Sequence, residues 1–272
     1  MTATAPRADP YESFYRQFDS PVMRQIRREA YGEDIGQHSW VGSDELRQDA
    51  GRLGLGATSR LLDLGCGPCG PLTFLISQFG CAGVGLELSP SAIDVGHARA
   101  AELGIQALFA AEVADLNEAL PVGLGSFDSA LAVDVVLHIR DRQALFREVA
   151  RMLRRGGRFL LTDAGIITGA VSNEEVRLRS LHGFTQFVPK GWNEQLLEAT
   201  GLHLIETEDR TASVVRNADG RLTAFRNHRK ELERLCGVAS FESQIAYLTT
   251  VAELARRRAV SRVMYLVELR TR

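Results

Sequence analysis

The sequence predicts an α/β protein: a doubly wound, mostly parallel seven-stranded sheet with an α-helical cap. Three observations predict it. Between residues 60 and 162, short apolar runs alternate with helical stretches through short turns, the rhythm of β-α-β units. The runs are continuously apolar, as strands covered on both faces require, and right-handed crossovers then place helices on both sides of the sheet. After a long helical excursion the chain returns as a strand, because Val263, Tyr265 and Val267 alternate with Met264, Leu266 and Glu268.

The elements follow in order. Residues 1–42, with Tyr11, Phe14, Tyr15, Phe18, Tyr31 and Trp40, read as an arm or lid rather than a core strand. Ser43 caps a helix that Gly54 to Gly56 end. Arg60 to Leu64 is the first strand and Pro71 to Phe79 a helix stopped by Gly80. Ala82 to Leu88 is the second strand. Ser89-Pro90 opens the next helix, with serine as cap and proline in the first turn, and Gly104 closes it. Ile105 to Ala110 and Phe127 to Val135 are strands three and four, and Arg142 to Leu153 is an amphipathic helix. Gly156-Gly157 turns into the fifth strand, Arg158 to Thr162. Helices over Asn173–Leu181 and Trp192–Thr200 precede the sixth strand, His203 to Glu208. Helices over 221–235 and 241–258 form an excursion too long for a hairpin loop, before the seventh strand, Arg262 to Leu269. The expected division is an arm (1–42), an α/β core (43–210, with 164–190 contributing to the cap), a helical cap insertion (211–259) and a last core strand (260–272).

Composition excludes several functions. A net charge of −2 over 272 residues gives no basic surface for nucleic acid. Arg256-Arg257-Arg258 reads as a solvated helix end, where cations suit the helix dipole. The first ten residues lack the apolar segment of a signal peptide, and no apolar run is long enough to span a bilayer. The four cysteines, Cys66, Cys69, Cys81 and Cys236, do not form a disulfide-framework pattern. A cytoplasmic protein with no nucleic-acid or membrane partner is expected, with a homodimer as the assembly to test. No cluster with metal-ligand spacing suggests a metal.

Leu61-Leu62-Asp63-Leu64-Gly65-Cys66-Gly67-Pro68-Cys69-Gly70 carries the chemistry. It reads as a buried strand ending in an acid and a glycine turn that lets a ligand approach the backbone. Cys66-Gly67-Pro68-Cys69 matches a thioredoxin-type dithiol but lies in the wrong fold context, with Gly65 where a tryptophan would stand. Gly65-x-Gly67-x-x-Gly70, with Glu87 twenty residues on, also fits a dinucleotide fingerprint. Asp63 distinguishes the remaining readings. A carboxylate at the strand end repels a pyrophosphate, which seeks backbone N–H groups and a helix N-terminus. The same carboxylate suits a ligand with a cationic amino-acid portion, and S-adenosylmethionine is such a ligand.

Further motifs agree: Val84-Gly85-Leu86-Glu87-Leu88-Ser89, Ser126-Phe127-Asp128, Asp134-Val135-Val136-Leu137-His138, and Met152 to Arg158 with its Gly156-Gly157 turn. In this order and spacing, over residues 40–210 and the final strand, the chain resembles the class I S-adenosylmethionine-dependent methyltransferases of small-molecule type, which are Rossmann-like. The resemblance implies that Gly65 and Gly67 line the methionine part of the donor and that Asp63 supports its ammonium. Glu87 would take the ribose hydroxyls, and Leu88 would pack on the adenine. Glu112 and the Val113 backbone would contact the adenine edge, and Asp134 would lie near the methyl group. A third glycine is more usual at position 69, and Gly70 is expected to supply that flexibility instead.

The implied function is methyl transfer from S-adenosylmethionine, with S-adenosylhomocysteine as product, to a small organic acceptor at an oxygen, nitrogen or carbon left open. His138 is the leading general base, a neutral imidazole on the loop facing the methyl group, with Tyr15 and His182 as further candidates. Gln37 and Trp40, from the arm, are expected to touch the donor. The alternatives are a nicotinamide-dependent oxidoreductase using the same turn and a donor-binding regulatory protein without catalysis. A nucleic-acid methyltransferase is disfavoured by the absent basic surface.

Overall fold

Leu61, Leu62 and Leu64 are fully buried, a condition that a strand covered on both faces meets. In the computed structural model, which describes residues 12–121, 127–181 and 183–270, they form β1 (Arg60–Leu64). The neighbours of β1 are β2 (Ala82–Glu87) and β4 (Phe127–Val133), both parallel to it. Outside these lie β3 (Phe109–Val113) and β5 (Leu153–Ile167), and then β7 (Leu202–Asp209) and β8 (Val260–Leu269). The order is β3-β2-β1-β4-β5-β8-β7, with β8 antiparallel to β5 and β7. Seven strands are thus as expected, and an eighth adds to them: β6, only Val188–Pro189, pairs with Ile166 and Ile167 of β5.

Alternation along the strands divides the core into two layers. Leu62, Leu64, Ala130, Phe159 and Leu161 pack with α6 (Arg142–Met152) and α8 (Trp192–Ala199). Leu61, Leu131 and Leu160 pack with α3 (Ser43–Leu53), α4 (Gly70–Phe79) and α5 (Pro90–Glu102). Helices therefore cover both faces. The direction of winding reverses between β1 and β4, and in such sheets the crevice beyond the strand ends at this point receives the ligand.

Several boundaries differ from expectation. The fifth strand runs from Leu153 to Ile167 rather than from Arg158 to Thr162, so Gly156-Gly157 lies within it and does not turn into it. The third strand is not Ile105–Ala110 but Phe109–Val113. Ile105 belongs to the end of α5: its N–H bonds the Ala100 carbonyl and the Gly104 N–H bonds that of Ala101, while Gly104 takes φ +69°. This is a Schellman cap with its apolar residue, so the run that resembled a strand start is a helix stop. β4 ends at Val133 rather than Val135, because Asp134 adopts φ 57° and breaks the strand. The excursion contains α9 (Thr211–Asn227), α10 (Arg229–Cys236) and α11 (Val238–Arg256), and its first helix begins ten residues before the expected 221, at the start of the expected insertion. The polar stretch Arg216 to Gly220 hides the start of α9. Gly220 is nevertheless a packing residue, since a Cβ there would lie 2.6 Å from the Ala30 carbonyl oxygen.

Ala30 lies on α2 (Pro21–Tyr31), which with α1 (Glu12–Tyr15) forms the described part of the arm. Arg27 organises it, donating to Asp34, Asp19 and the Phe18 carbonyl. The arm docks on the core at Gly36, whose carbonyl oxygen would be 2.1 Å from a Cβ on Gly70. Met23, Ile26 and Trp40 share an apolar cluster with α9 and α11. Residues 164–167 continue β5 and belong to the sheet. Arg256, Arg257 and Arg258 each pair with one acid (Asp219, Glu175 and Asp209) at the surface. Among the described residues no helix is long and apolar enough to cross a membrane.

Candidate active site

A cavity of roughly 340 Å³ opens beyond the carboxyl ends of β1, β2 and β4, within the ~300–1,000 Å³ typical of small-molecule sites. Its floor is the glycine turn. Gly65 and Gly67 take φ +66° and +55°, where L side chains are strained, and a Cβ on Gly65 would lie 2.2 Å from Val135 Cγ2. The turn is closed by Gly65 and Cys66 N–H groups on the Leu86 carbonyl. Cys69 itself adopts the left-handed conformation at the start of α4 (φ 57°), so Gly70 does not supply that flexibility as expected. Gly70 is small for a different reason, the approach of the arm backbone at Gly36. The third glycine of the apparent dinucleotide fingerprint is thereby explained without a pyrophosphate. The Cys66 and Cys69 thiols lie 3.4 Å apart and buried, and burial pushes the Cys66 thiol up, away from the reactive thiolate.

Asp63 closes β1 at the cavity wall and is only 2% exposed. Its Oδ2 is buried without a hydrogen-bond partner. Burial, and then the nearby Glu87 charge, push its carboxyl up to about 8. Glu87, at the end of β2, is held by the chain: Oε2 accepts from the Gly67 N–H at 2.9 Å, and Oε1 from the Leu88 and Ser89 N–H groups. The two acids thus face the cavity in different states, one fixed by three N–H groups and one with an oxygen awaiting a donor. A ligand bearing an ammonium would satisfy Asp63 Oδ2, and the glycine turn leaves room for a chain beside it.

On the loop after β4, Asp134 joins three elements. Oδ1 accepts from Thr162 Oγ1 and Arg262 Nε, each at 2.8 Å, and Oδ2 accepts from the Trp40 N–H. Arg262, fully buried, also donates to Glu45 and Ser213. His138 lies one turn further. Its Nδ1 is 2.8 Å from the Phe184 carbonyl oxygen, which can only accept, so Nδ1 carries the proton and Nε2 the basic lone pair. Burial lowers the pKa of His138, which keeps it neutral at pH 7.

The structure brings Asp63, Gly65, Gly67, Glu87, Leu88, Asp134, His138, Tyr15 and Trp40 to this one cavity. It does not bring Gln37, Glu112 or Val113 there. Gln37 is buried with its amide spent on the arm loop, accepting from the Ile35 N–H and donating to the Glu33 carbonyl. Glu112 is exposed within β3 and Val113 is 53% exposed, because the strand extends past both. The residues that follow it, Ala114, Asp115 and Leu116, line the cavity in their place. His182 lies outside the described residues. Sequence reasoning missed Asp115, and also Arg179, Arg221 and Tyr247 of the later helices, which complete the far wall.

Comparison with known proteins agrees with this geometry. Residues 62–161 match the family model described as a methyltransferase domain. A sarcosine/dimethylglycine N-methyltransferase of Halorhodospira halochloris is 32% identical over 222 residues, covering 75% of this chain and 74% of that protein. Methyltransferase GfsG of Streptomyces halstedii is 30% identical over 164 residues and 58% of each chain, so this chain spans less than two thirds of that relative's length. The cyclopropane synthase MmaA2 of Mycobacterium tuberculosis shares the fold, with a TM-score of 0.82 at 18% identity over 98% of this chain and 100% of that one. The orphaned carboxylate, the glycine turn and these relatives lead to one conclusion: the chain belongs to the class I S-adenosylmethionine-dependent methyltransferases, whose cofactor is S-adenosylmethionine.

Proposed function

We propose that the protein transfers a methyl group from S-adenosylmethionine to a small organic acceptor, in the cavity beneath the arm and the helices between β7 and β8. The observation that carries this reading is Asp63 Oδ2, buried, unpartnered and beside the glycine turn. When bound, the cofactor supplies an electrophilic methyl group on a sulfonium. Asp63 takes its ammonium, and the Gly65–Gly67 backbone lines the adjoining chain. Glu87, aimed by three N–H groups, takes the ribose hydroxyls, and Leu88 packs on the adenine. Asp115 takes the adenine amino group, the role that the sequence suggested for Glu112. Its Oδ1 already accepts from the Asn117 backbone and side chain, which fixes its direction.

Asp134 acts by position. Its carboxylate fastens the arm, at Trp40, to β5 and β8, and so holds the cover over the reacting groups. Tyr15 lies over Gly67 from the arm side, its hydroxyl 3.3 Å from where a Gly67 Cβ would be. Alignment is the main demand of an in-line displacement, and oriented reactants gain ~7–11 kcal/mol. The donor, held by Asp63, Glu87 and the glycine turn, would supply the methyl carbon, its sulfur keeping the electron pair of the broken bond. Where the acceptor carries a proton, His138 Nε2 receives it. The four cysteines are free thiols, which supports a reducing compartment such as the cytoplasm.

Incubation of the full chain with S-adenosylmethionine and a panel of small hydroxyl, amine and carbon acids tests this reading. The expected result is acceptor-dependent formation of S-adenosylhomocysteine. Binding of the cofactor with no turnover on any acceptor would instead support a regulatory donor-binding protein, and absence of binding would remove the reading altogether.

A further inference from the structure

The described residues include six buried arginines: Arg27, Arg142, Arg179, Arg210, Arg221 and Arg262. Four of them have carboxylate partners. Arg27 pairs with Asp19 and Asp34, Arg142 with Asp163, Arg210 with Asp49, and Arg262 with Asp134 and Glu45. Arg179 and Arg221 are each 6% exposed, and among the described residues neither forms an ion pair. These two line the cavity.

Their direct partners are neutral groups. Arg179, on α7 (Asn173–Arg179), donates to the Tyr247 hydroxyl at 3.1 Å and the Ala164 carbonyl at 3.3 Å. Arg221, on α9, lies over the Trp40 ring at 5.4 Å and donates a hydrogen bond to the Tyr31 side chain. A guanidinium cannot deprotonate, and a buried cation without a counter-charge is costly. Four of the six sites meet that cost with an acid of the chain. The two exceptions sit where a ligand can supply the charge.

Topology separates them from the donor. Asp63, Glu87 and Asp115 come from the ends of β1, β2 and β3, on one side of the reversal point, and the arginines come from helices that follow β5. The cavity thus draws the strand-end carboxylates and the two guanidinium groups from different parts of the fold, while Asp134, between them in chain order, is neutralised by Arg262. His138, on the loop after β4 between the two sets in chain order, lines the same cavity and lies close enough to Arg179 to feel its charge.

We propose that Arg179 and Arg221 form an anion-binding subsite for the methyl acceptor, so that the substrate is a small organic anion carrying a carboxylate or phosphate group. The proposal rests on the methyl-transfer reading above. Both oxyanions match the planar fork of a guanidinium. The anion anchors one end of the molecule and leaves its nucleophile toward His138.

Titration calorimetry on the full chain tests it, at fixed ionic strength and with saturating S-adenosylhomocysteine. The probes are acetate, inorganic phosphate and uncharged acetamide in separate arms. We expect a saturable heat with acetate or phosphate and none with acetamide. The stronger of the two anions identifies the group. Arg179→Gln and Arg221→Gln should each weaken it at least tenfold while S-adenosylhomocysteine affinity stays unchanged. Neither substitution strands a carboxylate, so both variants should fold. The acetate–acetamide comparison needs no variant. Equal heats with acetate and acetamide, no saturable anion binding, or full anion affinity in both variants would overturn the proposal. Failure of S-adenosylhomocysteine itself to bind would count against the methyl-transfer reading, and anion titration of the cofactor-free chain would then read the arginines alone.

Discussion

Glu87 and His138 show how single residues are prepared by their surroundings. Glu87 reaches the cavity with its carboxylate already oriented by the Gly67, Leu88 and Ser89 N–H groups. Glu87→Ala should therefore weaken S-adenosylhomocysteine binding by about 1.5–3 kcal/mol, the range for hydrogen bonds to charged groups, as read by calorimetry. His138 is held in one tautomer by the Phe184 carbonyl and kept neutral by burial. His138→Ala should lower turnover ~10²–10⁴-fold on an acceptor with a high-pKa proton and leave donor affinity unchanged. Unchanged turnover would reduce His138 to a support for the Phe184 loop. Asp63, Glu87 and the glycines were legible in the sequence because a strand end followed by a turn fixes their positions. Arg179 and Arg221 were not. In a chain whose basic residues are arginine except for Lys190 and Lys230, one more arginine carries no signal.

At the level of elements, the turn and the arm are a single construction. Gly70 has no side chain because the Gly36 carbonyl occupies that space. Gly70→Ala should push the arm off α4 at a cost of about 1–3 kcal/mol, the range for overpacking. Limited proteolysis would show it as faster cleavage between residues 31 and 42, accompanied by weaker donor binding. Cleavage at the wild-type rate would mean that the arm is held from the other side, by Trp40 and α9. Strand boundaries account for the different acid proposed for the adenine edge. Ile105 looks like the start of a strand and is the apolar residue of a helix cap, so the third strand was read about three residues too early. The acid after that strand is consequently Asp115 and not Glu112. The start of α9 is hidden for a related reason: Thr211, Ser213 and Asn217 are buried against Arg262 and the Trp40 carbonyl, and Gly220 packs on Ala30.

Over the whole molecule, hydrophobic alternation made the fold readable, because a doubly wound sheet leaves each central strand two apolar faces to fill. The donor half of the cavity follows from that topology, being built at the point where winding reverses. The acceptor half is built from helices whose packing depends on distant partners, and local pattern does not encode it. At the heart of the donor half, Asp63 waits for a cation. With its carboxyl pushed up to about 8, Asp63 is mostly protonated in the cofactor-free protein at pH 7. It must ionise to hold an ammonium, so binding releases a proton and affinity rises with pH until Asp63 is ionised without the ligand. The direct measurement is calorimetry of S-adenosylhomocysteine from pH 6 to 8, in two buffers of different ionisation enthalpy, on the wild type and on Asp63→Asn. Expected are proton release, an affinity that rises by up to ~10-fold per pH unit, and a weaker, pH-independent affinity in Asp63→Asn. Wild-type affinity that is flat with pH and equal to that of Asp63→Asn would contradict this role of Asp63.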